Sequence, residues 1–163
     1  MEILNPAESL QLHASYKESS LFGKWIHYAH ISPLLSNFTN ELNISVVGNS
    51  ENEVPIHSVK FGSGSKKILI WTQMHGNEST GTKALFDFLN CISRSDHSIF
   101  KTILANCSIL CIPMLNPDGS LKYTRINANN IDLNRDAVDR KAKESRLLRS
   151  ILEEFNPDFC FNL

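Results

Sequence analysis

The chain has 163 residues, of which 42% are hydrophobic and 20% are charged, and its formal net charge at pH 7 is −1. This length and composition allow one substantial hydrophobic core, so they predict a single globular domain or part of one. The near-neutral charge indicates neither a nucleic-acid surface nor an anionic membrane partner. No apolar run approaches the length of a transmembrane helix. We therefore expect no nucleic-acid and no membrane partner.

The amino terminus and the cysteines both predict a cytoplasmic location. The first residues contain no basic stretch followed by an apolar run, so a signal peptide is not expected. The spacing of the four cysteines matches no Cys-x-x-Cys pair, and each lies within or beside a predicted core element. We therefore predict buried, reduced thiols rather than a disulfide framework or a zinc cluster. The four are Cys91, Cys107, Cys111 and Cys160.

The first part of the chain predicts helices. Asn5 followed by Pro6 is typical of a helix start, which predicts a first helix that extends to about Lys17. A second helix is predicted over residues 28–38. We interpret residues 1–40 as a helical lead-in, for which the sequence indicates no function, and residues 41–163 as the main unit.

The middle of the chain predicts strands that alternate with helices. Residues 42–47 and 54–61 alternate apolar and polar side chains around a polar turn, which predicts an antiparallel hairpin. Short apolar runs predict buried strands over 66–72 and 107–112. Helices are predicted over residues 82–93 and 98–105. A further helix is predicted from an apolar stripe at residues 147, 148, 151, 152 and 155, and a final strand is predicted from 156 to 163. This order predicts an α/β fold with a mixed, mostly parallel sheet, flanking helices and an opening antiparallel hairpin.

His75 and Glu78 lie in the turn between a predicted strand and a predicted helix. This is the carboxyl edge of the sheet, where open α/β folds place their sites. An imidazole and a carboxylate at this spacing can reach one cation together, and catalytic zinc takes such ligands. Gly76 would let the backbone turn sharply, and Ser79 or Thr80 would cap the next helix. His-x-x-Glu alone is a weak pattern, for which an ordinary polar turn is the alternative.

A second polar segment follows the strand that ends at Ile112. Its Asn116-Pro117-Asp118-Gly119 run is typical of a tight turn. The structureless loop expected from there to Asp136 is long enough to indicate a function. The loop contains Arg125 and Arg135, and paired guanidinium groups in a cleft suit a carboxylate, a phosphate or a developing oxyanion. For either arginine alone, a solvated surface charge is the alternative.

Together the two segments resemble the zinc metallocarboxypeptidases, the carboxypeptidase A-like exopeptidases. The resemblance lies in His75-x-x-Glu78, in the Asn116–Gly119 run and in the stretch from Arg125 to Arg135, and it covers roughly residues 44–163. It implies the phosphorylase/hydrolase-like carboxypeptidase fold in incomplete form, as the amino-terminal part of a catalytic domain. One departure is Asn130, where relatives often have Gly. Asn tolerates the left-handed backbone conformation better than most residues.

The resemblance implies a role for each candidate residue at the centre of the site. His75 and Glu78 would bind Zn²⁺, with one zinc ion in each complete active site. Asp132 would orient the imidazole of His75, and Arg125 would act in catalysis by polarising the scissile carbonyl.

The resemblance also implies the reaction, which is hydrolysis of the C-terminal peptide bond by metal-activated water. Asn134 and Arg135 would bind the free carboxylate of the substrate. The family's third zinc ligand is a histidine from a later strand, which we expect within a residue or two after Leu163. Its catalytic glutamate comes later still. The 163 residues alone are therefore expected to lack peptidase activity. None of the other histidines sits in a matching motif: His13, His27, His30, His57 and His97.

Two alternative functions remain open. One is a zinc amidohydrolase that resembles aspartoacylase and succinylglutamate desuccinylase and acts on an N-acyl amino acid. His-Gly-Asn-Glu and Asp-Leu-Asn-Arg occur in both families, whereas the Asn-Pro-Asp-Gly run and the Arg125-x-Asn127 spacing favour the peptidase. The other is a non-enzymatic domain that binds peptide ends.

Overall fold

The computed structural model describes residues 4–38 and 42–163. Each predicted helix and strand is found, with ends within a few residues of those expected, and one short helix is added. The elements in this part of the chain are α1 Pro6–Tyr16, α2 Tyr28–Ser36, β1 Asn43–Asn49, β2 Pro55–Phe61, β3 Lys66–Trp71, α3 Thr80–Arg94, α4 Ser98–Asn106, β4 Cys107–Ile112, α5 Pro117–Leu121, α6 Lys143–Phe155 and β5 Phe159–Asn162.

The described strands form one mixed sheet in the order β1-β2-β4-β3-β5. β2 pairs antiparallel with both β1 and β4, whereas β3 lies parallel to both β4 and β5. All of these strands except β2 therefore run in the same direction. The predicted α/β class, the mostly parallel sheet and the opening hairpin are confirmed.

Helices pack on both faces of the sheet because side chains of the strands alternate between two cores. Ile68 and Ile70 of β3 pack against the larger core, which contains buried residues of α2, α3 and α4. Leu69 lies in the second core with Leu148 and Ile151 of α6. The predicted apolar stripe of α6 is thus confirmed as core.

The lead-in shares the larger core with the sheet. Asn5 caps α1 through a reciprocal hydrogen-bond pair with Glu8, as the Asn-Pro start predicts, but α1 buries none of its residues. The segment from residue 21 to 38 contributes Leu21, Ile26, Ile31, Leu35 and Phe38 to the core. The predicted boundary between residues 40 and 41 lies outside the described residues.

The structure corrects the sequence predictions for the Asn116–Gly119 run and for Cys160. The Asn116–Gly119 run does not form an isolated tight turn in a structureless loop but begins helix α5, because Asn116 accepts a hydrogen bond from the Gly119 amide and Pro117 occupies the first helical position. Cys160 is exposed on the edge strand β5 rather than buried, although all four thiols are free. No helix of the described residues is long and apolar enough to cross a membrane.

Candidate active site

The site forms where β3 and β4 end side by side. Their parallel register places Trp71 opposite Ile112. Beyond these residues the two chains stay together, since the amides of Leu115 and Asn116 donate to the carbonyls of Thr72 and Gln73. The turn that contains His75 therefore lies against the loop that follows β4.

The lead-in braces the His75 turn through its backbone carbonyls. Gln73 is buried and has a positive φ of 49°. Its Nε2 donates to the carbonyls of Ile26 at 2.7 Å and Gly76 at 2.8 Å. Ser79 occupies the N-cap position of α3, as one of the two predicted candidates, but its hydroxyl donates to the Lys24 carbonyl at 2.7 Å and makes no capping hydrogen bond. Sequence reasoning missed this bracing because a carbonyl acceptor leaves no residue signature.

Gly76 is required for a close approach rather than for a sharp turn. Its φ is not positive, unlike that of Gly62. A Cβ at Gly76 would lie 2.0 Å from the carbonyl carbon of Gly119 and 2.2 Å from the Ser120 nitrogen. The absence of a side chain thus lets α5 pack directly on the His75 turn.

Four of the six candidate residues form a closed polar cluster, which we call the site cluster. Nδ1 of His75 lies 3.0 Å from Oε2 of Glu78, and its Nε2 lies 3.1 Å from Oδ1 of Asp132. Arg125 donates from Nε to Oδ2 of Asp132 at 2.9 Å and from Nη1 to Oε1 of Glu78 at 3.3 Å. His75 is buried, whereas the side chains of Arg125 and Glu78 are 45% and 60% exposed.

Asp132 is the most connected member of the site cluster. Besides the contacts to Arg125 and His75, its Oδ1 accepts the backbone N–H of Asn134 at 3.0 Å. Burial tends to raise the pKa of this carboxyl, but these hydrogen bonds outweigh burial and hold the pKa below its usual value. Asp132 is therefore ionised at neutral pH and can hold both the imidazole and the guanidinium.

The other two candidate residues lie at the rim of the site cluster. Asn134 and Arg135 are exposed, and Arg135 Nη1 donates to the Asn134 carbonyl at 3.2 Å. Their side chains do not enter the hydrogen-bonded cluster. Asn130 adopts the left-handed backbone conformation, with a φ of 59°, as expected for its place in the loop.

The donor chemistry of the site cluster fits two ligands of a zinc ion. An imidazole nitrogen and a carboxylate that face each other are ligands zinc takes. Metal-bound histidines usually donate their other ring N–H to a carboxylate. Asp132 lies within hydrogen-bond distance of Nε2 of His75, where it can accept such a bond. Within residues 4–38 and 42–163, no group of three His, Cys, Asp or Glu side chains could hold a metal ion. The residues present thus supply part of a ligand set.

Two buried carboxylates that sequence reasoning missed connect the segment between β4 and α6 (residues 113–142), which we call the site loop, to the turn between β1 and β2. Asp118 of α5 accepts the backbone N–H of Asn52, in the turn between β1 and β2, at 3.0 Å. Glu144 of α6 is fully buried and contacts Asn127 in the loop. Burial raises the pKa of Glu144, and its hydrogen bonds only partly offset this effect. An acidic residue in the first turn of a helix is common, so the sequence held no specific signal for this role.

The chain is similar to known carboxypeptidases in sequence and in fold. A family model described as zinc carboxypeptidase matches residues 27–151. Carboxypeptidase 2 of Trichophyton rubrum is 30% identical over 101 residues, which are 61% of this chain and 19% of that protein. A metallo-carboxypeptidase from Burkholderia cenocepacia superposes with a TM-score of 0.74 at 19% identity, covering 83% of this chain and 40% of that one. Carboxypeptidase A from Helicoverpa armigera superposes with a TM-score of 0.67 at 19% identity, covering 99% of this chain and 53% of that one.

Proposed function

Because the chain belongs to the zinc carboxypeptidase family, we propose that it supplies two zinc ligands, His75 and Glu78, to a metallocarboxypeptidase that removes the C-terminal residue of a peptide. The observation that carries this proposal is the site cluster, in which Nδ1 of His75 faces Glu78 while Asp132 holds Nε2. When bound, zinc supplies Lewis-acid chemistry and makes water a better nucleophile near neutral pH. The proposal applies to the complete protein, since the matched stretch is about a fifth of the curated relative's length.

Asp132 would select the tautomer of the His75 imidazole. A hydrogen bond from Nε2–H to Asp132 leaves the lone pair of Nδ1 directed towards Glu78. The same carboxylate accepts from Nε of Arg125, so one ionised group orients both the ligand and the arginine. This shared anchor keeps the imidazole and the guanidinium at a constant separation.

Arg125 would stabilise the negative charge that develops on the scissile carbonyl oxygen. Its ion pair with Glu78 is solvent-exposed, and pairs of this kind contribute little free energy, so its Nη groups remain available to a substrate. Charge that appears in the transition state is where a preorganised donor has its largest effect.

Asn134 and Arg135 would recognise the end of the substrate. Their side chains are exposed beside the site cluster, and a guanidinium binds a carboxylate with two parallel hydrogen bonds. A binding group for the terminal carboxylate restricts cleavage to the last peptide bond. The family match supports a peptide as substrate over the N-acyl amino acid of the amidohydrolase alternative.

Zinc content tests the ligand assignment directly. In the complete protein, His75→Ala and Glu78→Ala should each abolish stoichiometric zinc, measured by elemental analysis after dialysis. His13→Ala is the control, because this exposed histidine lies on α1 against Asp87. Unchanged zinc in the His75→Ala protein would overturn the proposal.

Steady-state kinetics tests the two arginines separately. Arg125→Ala should chiefly lower kcat, by roughly 10²–10³-fold if it behaves as an oxyanion donor. Arg135→Ala should chiefly raise KM and weaken the preference for free-acid over C-terminally amidated peptides. If the wild-type enzyme cleaves both peptides equally well, the exopeptidase assignment is wrong.

A further inference from the structure

The buried carboxylate of Glu144 connects α6, the turn between β1 and β2, and the site loop. Glu144 is the second residue of α6, and none of its surface is exposed. Its Oε1 accepts the backbone N–H of Glu51, in the turn between β1 and β2, at 3.2 Å. Its Oε2 accepts from Nδ2 of Asn127 in the site loop at 3.0 Å. Both carboxylate oxygens therefore have a donor from another part of the chain, in addition to the backbone N–H of Glu144 itself.

Asn127 closes the base of the loop that connects Arg125 to Asp132. Its Oδ1 accepts the backbone N–H groups of Asn129 and Ile131, both at 3.0 Å. Its own backbone N–H donates to the Ile131 carbonyl at 3.0 Å. Asn127 is 4% exposed, so no solvent can replace these partners without opening the loop. Its side-chain amide can satisfy the loop and Glu144 in one orientation alone.

We propose that Glu144 is a positioning residue that, through Asn127, sets the separation of Arg125 and Asp132 in the site cluster. Glu144 forms no hydrogen bond or ion pair with either of these residues. Glu144 holds the loop through Asn127, and Arg125 and Asp132 lie at the two ends of that loop. Nε of Arg125 donates to Asp132 and so joins these two ends. The consequence for catalysis rests on the proposed function, whereas the loop geometry can be measured without metal or substrate.

Exchanging either the acid for an amide at Glu144 or the amide for an acid at Asn127 should break the hydrogen bond between these two side chains. In Glu144→Gln, one oxygen becomes an NH₂ group that must face either the Asn127 amide or the Glu51 N–H, and both are donors. Rotating the Asn127 amide instead would turn its NH₂ group towards two backbone N–H groups. In Asn127→Asp, two carboxylates would face each other in the interior, which is strongly unfavourable.

The double exchange should restore every hydrogen bond. In Glu144→Gln/Asn127→Asp, the new Gln donates to the new Asp, its oxygen accepts from Glu51, and the second Asp oxygen accepts from Asn129 and Ile131. The net charge of the protein is unchanged. Rescue by the double variant cannot arise from general destabilisation, because two independent destabilising substitutions would add.

Two NMR measurements on the complete, purified protein test the proposal. Each single variant should speed amide hydrogen exchange at Asn129 and Ile131 by about ten-fold or more, the loss expected for one buried hydrogen bond. Each should also shift the side-chain Nε–H resonance of Arg125. The double variant should return both signals to wild-type values. Leu69 of β3 reports global unfolding, and Glu154→Gln, on the exposed side of α6, should change neither signal.

Kinetic measurements then separate this proposal from the proposed function. Each single variant should lower kcat/KM without loss of zinc, and the double variant should restore it. Unchanged loop exchange in the single variants, or a double variant no better than either single one, would overturn the positioning role. The zinc content of the His75→Ala protein tests the proposed function independently.

Discussion

At the scale of single residues, the Asp136 carboxylate fixes the last part of the site loop to the start of α6. It is 4% exposed and accepts the backbone N–H groups of Lys141 and Ala142, each at 2.9 Å. Burial tends to raise its pKa, but these two hydrogen bonds outweigh burial and hold the pKa below its usual value. The loop is thereby connected to the start of α6.

Asp136→Asn should lower the free energy of unfolding by about 1–3 kcal/mol at pH 7, because one of the two N–H groups loses its acceptor. A carboxyl whose pKa is depressed in the folded state stabilises the fold above its unfolded pKa of about 3.9, and this contribution is lost as the pH falls through the folded value. The difference between the two proteins in urea unfolding should therefore shrink below about pH 4.

Asp139→Asn is the matched control for this prediction. Asp139 is exposed and pairs with the exposed Lys141 side chain at 2.9 Å, an arrangement that contributes little to stability because solvent screens it. Its removal should change stability little at any pH. Equal effects of the two substitutions, or a difference that grows at acid pH, would contradict the assignment to Asp136.

At the scale of elements, the contact of α5 with the His75 turn depends on two glycine backbones. Gly76→Ala would place a methyl group 2.0 Å from a backbone atom of Gly119, so one element must move. We expect a loss of about 1–3 kcal/mol in the free energy of unfolding, or more, as for other overpacked sites. The displacement should also weaken zinc binding by the complete protein, since His75 lies in the same turn.

Gly48→Ala provides the comparison for Gly76→Ala. The added methyl group would meet the ends of the Leu147 side chain at 2.9 Å, and this flexible side chain can move aside. The loss of stability measured by urea unfolding should be smaller than for Gly76→Ala, and zinc binding should be unchanged. A larger effect at Gly48 would refute the proposed role of close backbone packing at the site.

At the scale of the whole molecule, the lead-in and the sheet should unfold together. Ile31 is 2% exposed in the larger core, whereas Leu10 of α1 is 69% exposed. Ile31→Ala should lower the free energy of unfolding by about 2–5 kcal/mol, and Leu10→Ala should change it by no more than about 0.5 kcal/mol.

Two probes can measure this cooperativity in one urea titration. Tryptophan fluorescence reports Trp25 in the lead-in and Trp71 in the sheet, and far-UV circular dichroism reports the helices. The two transitions should coincide, because residues 21–38 and the sheet share one core. Separate transitions, with Ile31→Ala affecting one alone, would show that the lead-in folds independently.

The order of elements and the chemistry at the sheet edge could be read from the sequence. Helices and strands follow local periodicity, and the carboxyl ends of parallel strands meet at one edge, so the turn with His75 and Glu78 and the loop with Arg125 are expected at that edge. The contact of Asp132 with His75 is implied by the family resemblance. The family match extends over residues 27–151 and includes these motifs. The identity of these four residues and their place in the chain are therefore properties of the sequence.

Only the tertiary structure decided which contacts hold the His75 turn and the site loop in place at the carboxyl edge of the sheet. The carbonyls of Lys24 and Ile26 brace the His75 turn, and Glu144 holds the site loop through Asn127. Neither contact could be predicted, because backbone carbonyls have no residue identity and a buried carboxylate resembles a helix-start acid in sequence. The requirement for glycine at Gly76 likewise comes from the distance to α5, which is set by packing between elements that are far apart in the chain.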